Sequence, residues 1–160
     1  MSGDGPLVTA LVADRTAEAR HAASHMLEGL GFRVAGAADA GEALALIAGT
    51  APDLVLADAR LETAEGSTLL EAIRKQAGGA GPCILHVTMD GAPASIRRAI
   101  EAGADDYLVK PYDEALLRFK LAQARTRGRL DAGRPKLRVV QGNSSAGATS
   151  WHFGLYGKAV

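Results

Sequence analysis

Several things are scarce in this 160-residue chain. There is a single cysteine, Cys83, so no internal disulfide can form. It lies in an apolar run, where it reads as a small buried hydrophobe of a reducing compartment. No stretch of about 18 or more apolar residues occurs, which excludes a membrane-spanning helix. The opening "MSGDGPLVTALVADR" has no basic segment before its apolar stretch, so it does not read as a secretory signal. The chain holds one tryptophan, Trp151, near its far end. Net charge is also missing: 18 basic and 18 acidic residues cancel.

That cancellation hides an asymmetry. Residues 1–117 hold 9 basic and 17 acidic residues, whereas residues 118–160 hold 9 basic and 1 acidic residue. A split from −8 to +8 suggests an acidic folded body and a basic end that seeks an anion. With 48% hydrophobic residues the chain has enough apolar side chains for a core. Its length suits one domain of about 120–150 residues with an extension. The boundary is expected near 128, with residues 129–160 forming the extension.

The body alternates between short apolar runs and segments of helical period. "LVTALVA" (7–13), "FRVAGAA" (32–38), "DLVLAD" (53–58), "CILHVT" (83–88) and "YLVK" (107–110) read as strands. Between them, apolar residues recur at helical spacing, as in Ala19, Ala22, Ala23, Met26, Leu27 and Leu30, a pattern that Gly31 ends. Asp39 with Glu42 three residues on predicts a capping box, and Asp113 predicts the cap of a last helix. Five strands alternating with five helices imply an α/β fold with a parallel, doubly wound sheet. In such sheets function gathers at the carboxyl ends of the strands. Those ends carry Asp14, Asp58, Thr88 and Lys110.

These four residue types form a coherent phosphoryl pocket. Asp58 supplies a carboxylate that can attack phosphorus, and Thr88 a hydroxyl for the transferred group. Lys110 supplies a cation, and Asp14 a second carboxylate toward Mg²⁺. Acids and lysines also end strands simply because they face water. The pocket shows no hydrolase, transferase or nucleotide-cyclising machinery, so the chain does not read as an enzyme.

Residues 5–128 resemble the response-regulator receiver domain, the CheY-like, flavodoxin-like fold. The resemblance rests on "LVADR", "PDLVLADARLETAEG", Thr88 and "EAGADDYLVKP". It implies that Asp58 is the phosphoacceptor, that Thr88 and Tyr107 are a switch pair, and that Lys110 binds the phosphoryl group. It also implies a cis bond between Lys110 and Pro111. The family usually has two adjacent acids where this chain has Asp14-Arg15. A guanidinium has no acceptor for Mg²⁺, and Arg15 is expected to sit beside Asp58 and Asp14 in the ion's place. Glu62 stands where proline is usual. Met89 stands where a small residue is usual and is expected to crowd Thr88. The Mg²⁺ site at Asp14 and Asp58 is therefore expected to be weak or absent, and phosphorylation of Asp58 with it.

The remainder is expected to continue the last helix through "LAQARTRGRLDAGRPKLR", in which arginine outnumbers lysine five to one. Arginine offers a planar fork to phosphates or a guanine edge. "VVQGNSSAGATS" is too polar and glycine-rich for a core, so residues from 131 onward are expected to be disordered alone. Three readings stand for this segment: a solvated basic tail, a nonspecific nucleic-acid contact, or a site for a small anion holding phosphates and purines.

Arg134 and Arg138 form R-x-x-x-R, and "NSSAG" follows. This resembles the paired motifs of PilZ-type cyclic di-GMP binders. With Ser150-Trp151 further on, the chain resembles the CheY-like cyclic di-GMP effectors, the Cle proteins of alphaproteobacteria. That resemblance implies cyclic di-GMP as ligand, held by Arg134, Arg138, Asp131, Arg129 and Ser150 with Trp151 stacked on a guanine. It also implies a flagellar motor switch protein as partner, docked around Tyr107. The expected molecule is a cytoplasmic stand-alone regulator, monomeric without ligand, and recruited toward the flagellar pole. The alternatives are a phosphorylation-driven response regulator with an idle tail and a nucleic-acid-associated regulator.

Overall fold

A computed structural model of the chain describes residues 8–78 and 81–130. Five strands, β1 (Val8–Ala13), β2 (Phe32–Ala37), β3 (Leu54–Asp58), β4 (Cys83–Thr88) and β5 (Asp106–Val109), form one parallel sheet in the order β2-β1-β3-β4-β5. Five helices alternate with them: α1 (Ala17–Gly29), α2 (Ala40–Thr50), α3 (Leu69–Gln76), α4 (Pro93–Glu101) and α5 (Glu114–Thr126). The α/β doubly wound architecture expected from the sequence is the one observed. No helix among the described residues is long and apolar enough to cross a membrane.

The sheet feeds two cores, because successive side chains of a strand point to opposite faces. On one face Leu54 and Leu56 of β3, Cys83, Leu85 and Val87 of β4 and Leu108 of β5 pack against Leu27 of α1 and Leu117 and Leu121 of α5. On the other, Leu11, Val55 and Ile84 pack against Ala43 of α2, Leu69 and Ile73 of α3 and Ala99 of α4. β3 lies in the middle of the sheet and all five of its residues are buried, Asp58 included. Burial on both faces explains why it reads as an unbroken apolar run. Cys83 is buried and free, and burial pushes its thiol up to about 12.

The helix starts follow the local chemistry. Asp39 accepts the Glu42 amide at 2.8 Å, as expected. The Glu42 carboxylate, however, takes the Ala38 amide at 2.9 Å, one residue before the cap. The reciprocal box belongs instead to α3, where Thr68 and Glu71 satisfy each other's amides. Asp113 caps α5 by accepting the Leu116 amide at 2.9 Å.

The end of α5 corrects the sequence reading. The helix does not run on through 138 but stops at Thr126. Gly128 turns the chain at φ 77°, a left-handed value that glycine adopts freely. Its amide bonds to the Arg125 carbonyl at 3.0 Å, and that of Arg129 to the Ala124 carbonyl at 2.9 Å. The turn drives Leu130 into the core, where it is 4% exposed. The folded body thus reaches at least Leu130, past the boundary expected at 128.

Candidate functional site

The carboxyl ends of β1, β3, β4 and β5 bring together the side chains that the sequence singled out. Asp14 follows β1, Asp58 ends β3, Thr88 ends β4 and Lys110 follows β5. Asp14 and Asp58 are 4% and 3% exposed. The Lys110 ammonium donates to Asp14 Oδ2 at 2.7 Å and lies 3.6 Å from Asp58 Oδ2. The Lys110–Pro111 peptide bond is cis. Asp14 Oδ1 accepts the Thr16 amide at 2.9 Å.

A guanidinium closes the pocket, but it belongs to Arg60, not to Arg15. Arg60 folds back over Asp58 as a fork, with Nε 3.3 Å from Oδ1 and Nη2 2.8 Å from Oδ2. Its amide donates to the same Oδ1 at 3.0 Å, so Asp58 to Arg60 forms a side-chain-closed turn. Arg60 Nη2 also lies 3.8 Å from Asp14 Oδ1. Burial raises the cost of ionising Asp58, but the Arg60 hydrogen bonds and the charges of Lys110 and Arg60 outweigh it and hold the carboxyl below its usual range. Arg15 is exposed and makes no ion pair with either acid among the described residues. The sequence signal for Arg60 was its position two residues after a strand-end aspartate.

Other expected site residues have plain positions. Thr88 Oγ1 accepts the Asp90 amide at 2.9 Å. Met89 is 72% exposed, so it is not packed as a plug over Thr88. Glu62 is exposed and bridges to Thr68 across the loop after β3. Tyr107 is half-buried, with the Lys120 ammonium 4.0 Å from its ring centroid.

The donor set for a divalent cation is thin. Of the pocket's protein oxygens, the two carboxylates are already engaged by Lys110 and Arg60. Mg²⁺ demands near-octahedral oxygen ligands at about 2.0–2.1 Å, which a guanidinium cannot supply. Among the described residues no group of three or more His, Cys, Asp or Glu side chains could hold a metal ion. As arranged, the residues do not fit Mg²⁺.

A second charged cluster sits at the opposite end of β5. Asp105 accepts from Arg74 at 2.8 Å, from the Ile84 amide at 2.8 Å and from Arg129 Nε at 2.6 Å. Asp106 accepts from Lys120 at 2.7 Å and from Arg127 at 3.1 Å. Arg129 is among the residues that the resemblance implies for ligand binding, and Arg127 belongs to the basic end expected to seek an anion. The structure sets both against the acids of the body, Arg127 from the end of α5 and Arg129 after the turn at Gly128. Asp131, Arg134, Arg138, Ser150 and Trp151 lie outside the described residues.

Comparison with known proteins agrees with this fold. Residues 10–122 match the model of the response regulator receiver domain family. The transcriptional regulatory protein PrrA of Mycobacterium tuberculosis is 36% identical over 84 residues, covering 51% of this chain and 34% of that one. The response regulator PleD of Caulobacter vibrioides is 30% identical over 138 residues, covering 81% of this chain and 29% of that one. The chain spans about a third of the length of these relatives. Among solved structures, the chemotaxis response regulator CheY4 of Vibrio cholerae superposes with a TM-score of 0.66 at 28% identity, over 73% of this chain and 98% of that one.

Proposed function

Because the chain belongs to the response regulator receiver domain family, we propose that its acid pocket is a poor phosphoacceptor and that its main input is cyclic di-GMP. It is a receiver domain of a two-component response regulator. The ligand is taken by the segment beyond the body, with Arg134 and Arg138 on guanine edges and phosphates and Trp151 stacked on a base. Asp131 accepts from a guanine edge, and Ser150 lies beside the stacking residue. The output is a protein contact around Tyr107, with a flagellar motor switch protein as partner. The protein is not an enzyme in this reading.

One observation carries the proposal. Asp58, the acceptor position, is held by an internal guanidinium fork and lies near the Lys110 ammonium. A phosphoryl donor must displace that fork before the carboxylate can attack. The asymmetric charge of the chain supports a separate anionic input. Each bidentate arginine–guanine pair contributes about 1–3 kcal/mol, and a stacked base about the same. Several such contacts are needed, since ordering a segment costs about 1 kcal/mol or more per residue.

Titration calorimetry of the full chain with cyclic di-GMP should show micromolar binding that Arg134→Ala or Trp151→Ala removes. Absence of heat at tens of micromolar, as an order of magnitude, refutes the ligand. Incubation with a small phosphodonor and Mg²⁺ should leave Asp58 largely unmodified. Robust acyl phosphate at Asp58 favours the phosphorylation-driven regulator. Binding to any nucleic acid with a steep salt slope and no preference for guanine dinucleotides favours the nucleic-acid reading.

A further inference from the structure

The two acids and two cations at the strand ends form a closed ring. Asp14 pairs with Lys110 at 2.7 Å, Lys110 approaches Asp58 at 3.6 Å, Asp58 pairs with Arg60 at 2.8 Å, and Arg60 approaches Asp14 at 3.8 Å. The formal charge of the ring is zero. Such a ring offers little field to a divalent cation, and adding one leaves two positive charges uncompensated.

Geometry makes the obstruction specific. An ionised carboxylate has about four lone-pair directions. Arg60 alone fills three on Asp58, through its amide and Nε on Oδ1 and Nη2 on Oδ2. The same Nη2 reaches between the two carboxylates, which is where an ion bridging them would lie. The turn from Asp58 to Arg60 shortens the reach of the side chain, so the fork is pre-set by the backbone. Arg15, the residue next to Asp14, takes no part among the described contacts.

We infer that Arg60 is the residue that denies this pocket a divalent cation, its guanidinium standing in for the ion between Asp14 and Asp58. Arg60 is thus a specificity-determining residue of the acid pocket, and removing its charge opens a Mg²⁺ site there. The inference rests on the reading of the pocket as a poor phosphoacceptor, but not on cyclic di-GMP.

Thermal melting with Mg²⁺ alone tests it, with sodium chloride at matched ionic strength as the reference. Four proteins are compared: the parent chain, Arg60→Met, Arg15→Glu, and Arg15→Glu with Arg60→Met. An ion binding with a dissociation constant of about 1 mM, supplied at about 10 mM, raises the folded-to-unfolded ratio about elevenfold. That corresponds to a rise in Tm of about 3–6 °C for a domain of this size. The rise is expected in the double variant and, more weakly, in Arg60→Met. The parent and Arg15→Glu should show none, since Arg60 still covers Asp58. Mn²⁺ should broaden the amide signals of Asp14 and Asp58 in the double variant and, more weakly, in Arg60→Met, but not in the parent or Arg15→Glu. A Mg²⁺ shift in Arg15→Glu equal to that of the double variant would overturn the inference, and so would an equal shift in the parent. If Arg60→Met fails to fold, Arg60→Gln removes the charge while keeping a polar side chain. Absence of any shift in a folded Arg15→Glu, Arg60→Gln chain also overturns the inference. Failure of cyclic di-GMP binding leaves every one of these outcomes unchanged.

Discussion

Replacing Asp105 by alanine should be a costly change, because its carboxylate ties several elements of the body together. The side chain is 14% exposed, and its main partner Arg74 is 12% exposed, so water replaces lost contacts poorly. The carboxylate gathers Arg74, Arg129 and the Ile84 amide into one knot joining α3, β4, β5 and the turn after α5. Removing one partner of a buried ion pair costs about 3–5 kcal/mol, and an abandoned buried amide about 1–3 kcal/mol. Arg74 keeps the Gly103 and Pro82 carbonyls, at 2.8 and 2.9 Å, which offsets part of that loss. The expected sum is about 3–4 kcal/mol, equal to a fall in Tm of roughly 6–16 °C. Asp105→Asn retains an acceptor oxygen and should cost about half as much. Burial raises the cost of ionising Asp105, but Arg129, the Ile84 amide and Arg74 outweigh it and lower its pKa in the folded state. The stabilisation is therefore full above the ordinary carboxylate pKa and is lost as pH falls through the depressed folded value. The gap between parent and Asp105→Ala should shrink in acid. Urea midpoints at constant m-value measure all of this. A loss under about 1 kcal/mol at neutral pH, or equal losses for Ala and Asn, would refute the reasoning.

Three further outcomes follow from single features. Leu130→Ala should lower stability by about 2–4 kcal/mol in a denaturant melt, since Leu130 is buried with Leu27 and Leu121; a loss under about 0.5 kcal/mol would return the boundary to 128. Thr68→Ala removes the cap of α3 and should cost about 1 kcal/mol by the same assay. Gly103→Ala should cost at least about 1 kcal/mol, because φ is 116° and an added methyl would sit 2.7 Å from Arg74 Cγ.

The fold was legible because the sequence states it twice. Strands such as Leu54–Asp58 are apolar throughout, and caps such as Asp113 announce the helices that follow. The acid pocket was legible as a set of strand-end residues, since a parallel sheet places all carboxyl ends on one side. The guanidinium that fills it was not. Arg15 is adjacent to Asp14 in the chain, and successive residues leave a strand end in different directions. Arg60 arrives through a turn whose closure by the Asp58 side chain depends on local backbone geometry. The end of α5 was misread for a similar reason. A basic, helix-compatible run such as "ARTRGR" has no apolar periodicity to mark its stop, and only Gly128 signalled one.

Arg127 and Arg129 bear on the ligand reading in a quantitative way. An anion drawing on Arg127 must compete with Asp106, which also holds the Lys120 ammonium over the Tyr107 ring. The carboxylate is thus an internal competitor placed between the root of the extension and the face around Tyr107. Asp106→Asn weakens that competitor. If cyclic di-GMP takes contacts from Arg127, its affinity should rise about three- to tenfold in this variant, the equivalent of roughly 0.7–1.4 kcal/mol. Stability should fall at the same time, because Lys120 loses its charged partner at 2.7 Å. Opposite signs for affinity and stability are the signature of competition, since mere damage to the body lowers both. Calorimetry and melting on the same preparation decide it. An affinity that stays constant or falls would confine the ligand to residues beyond Leu130 and leave Arg127 a strut of the body.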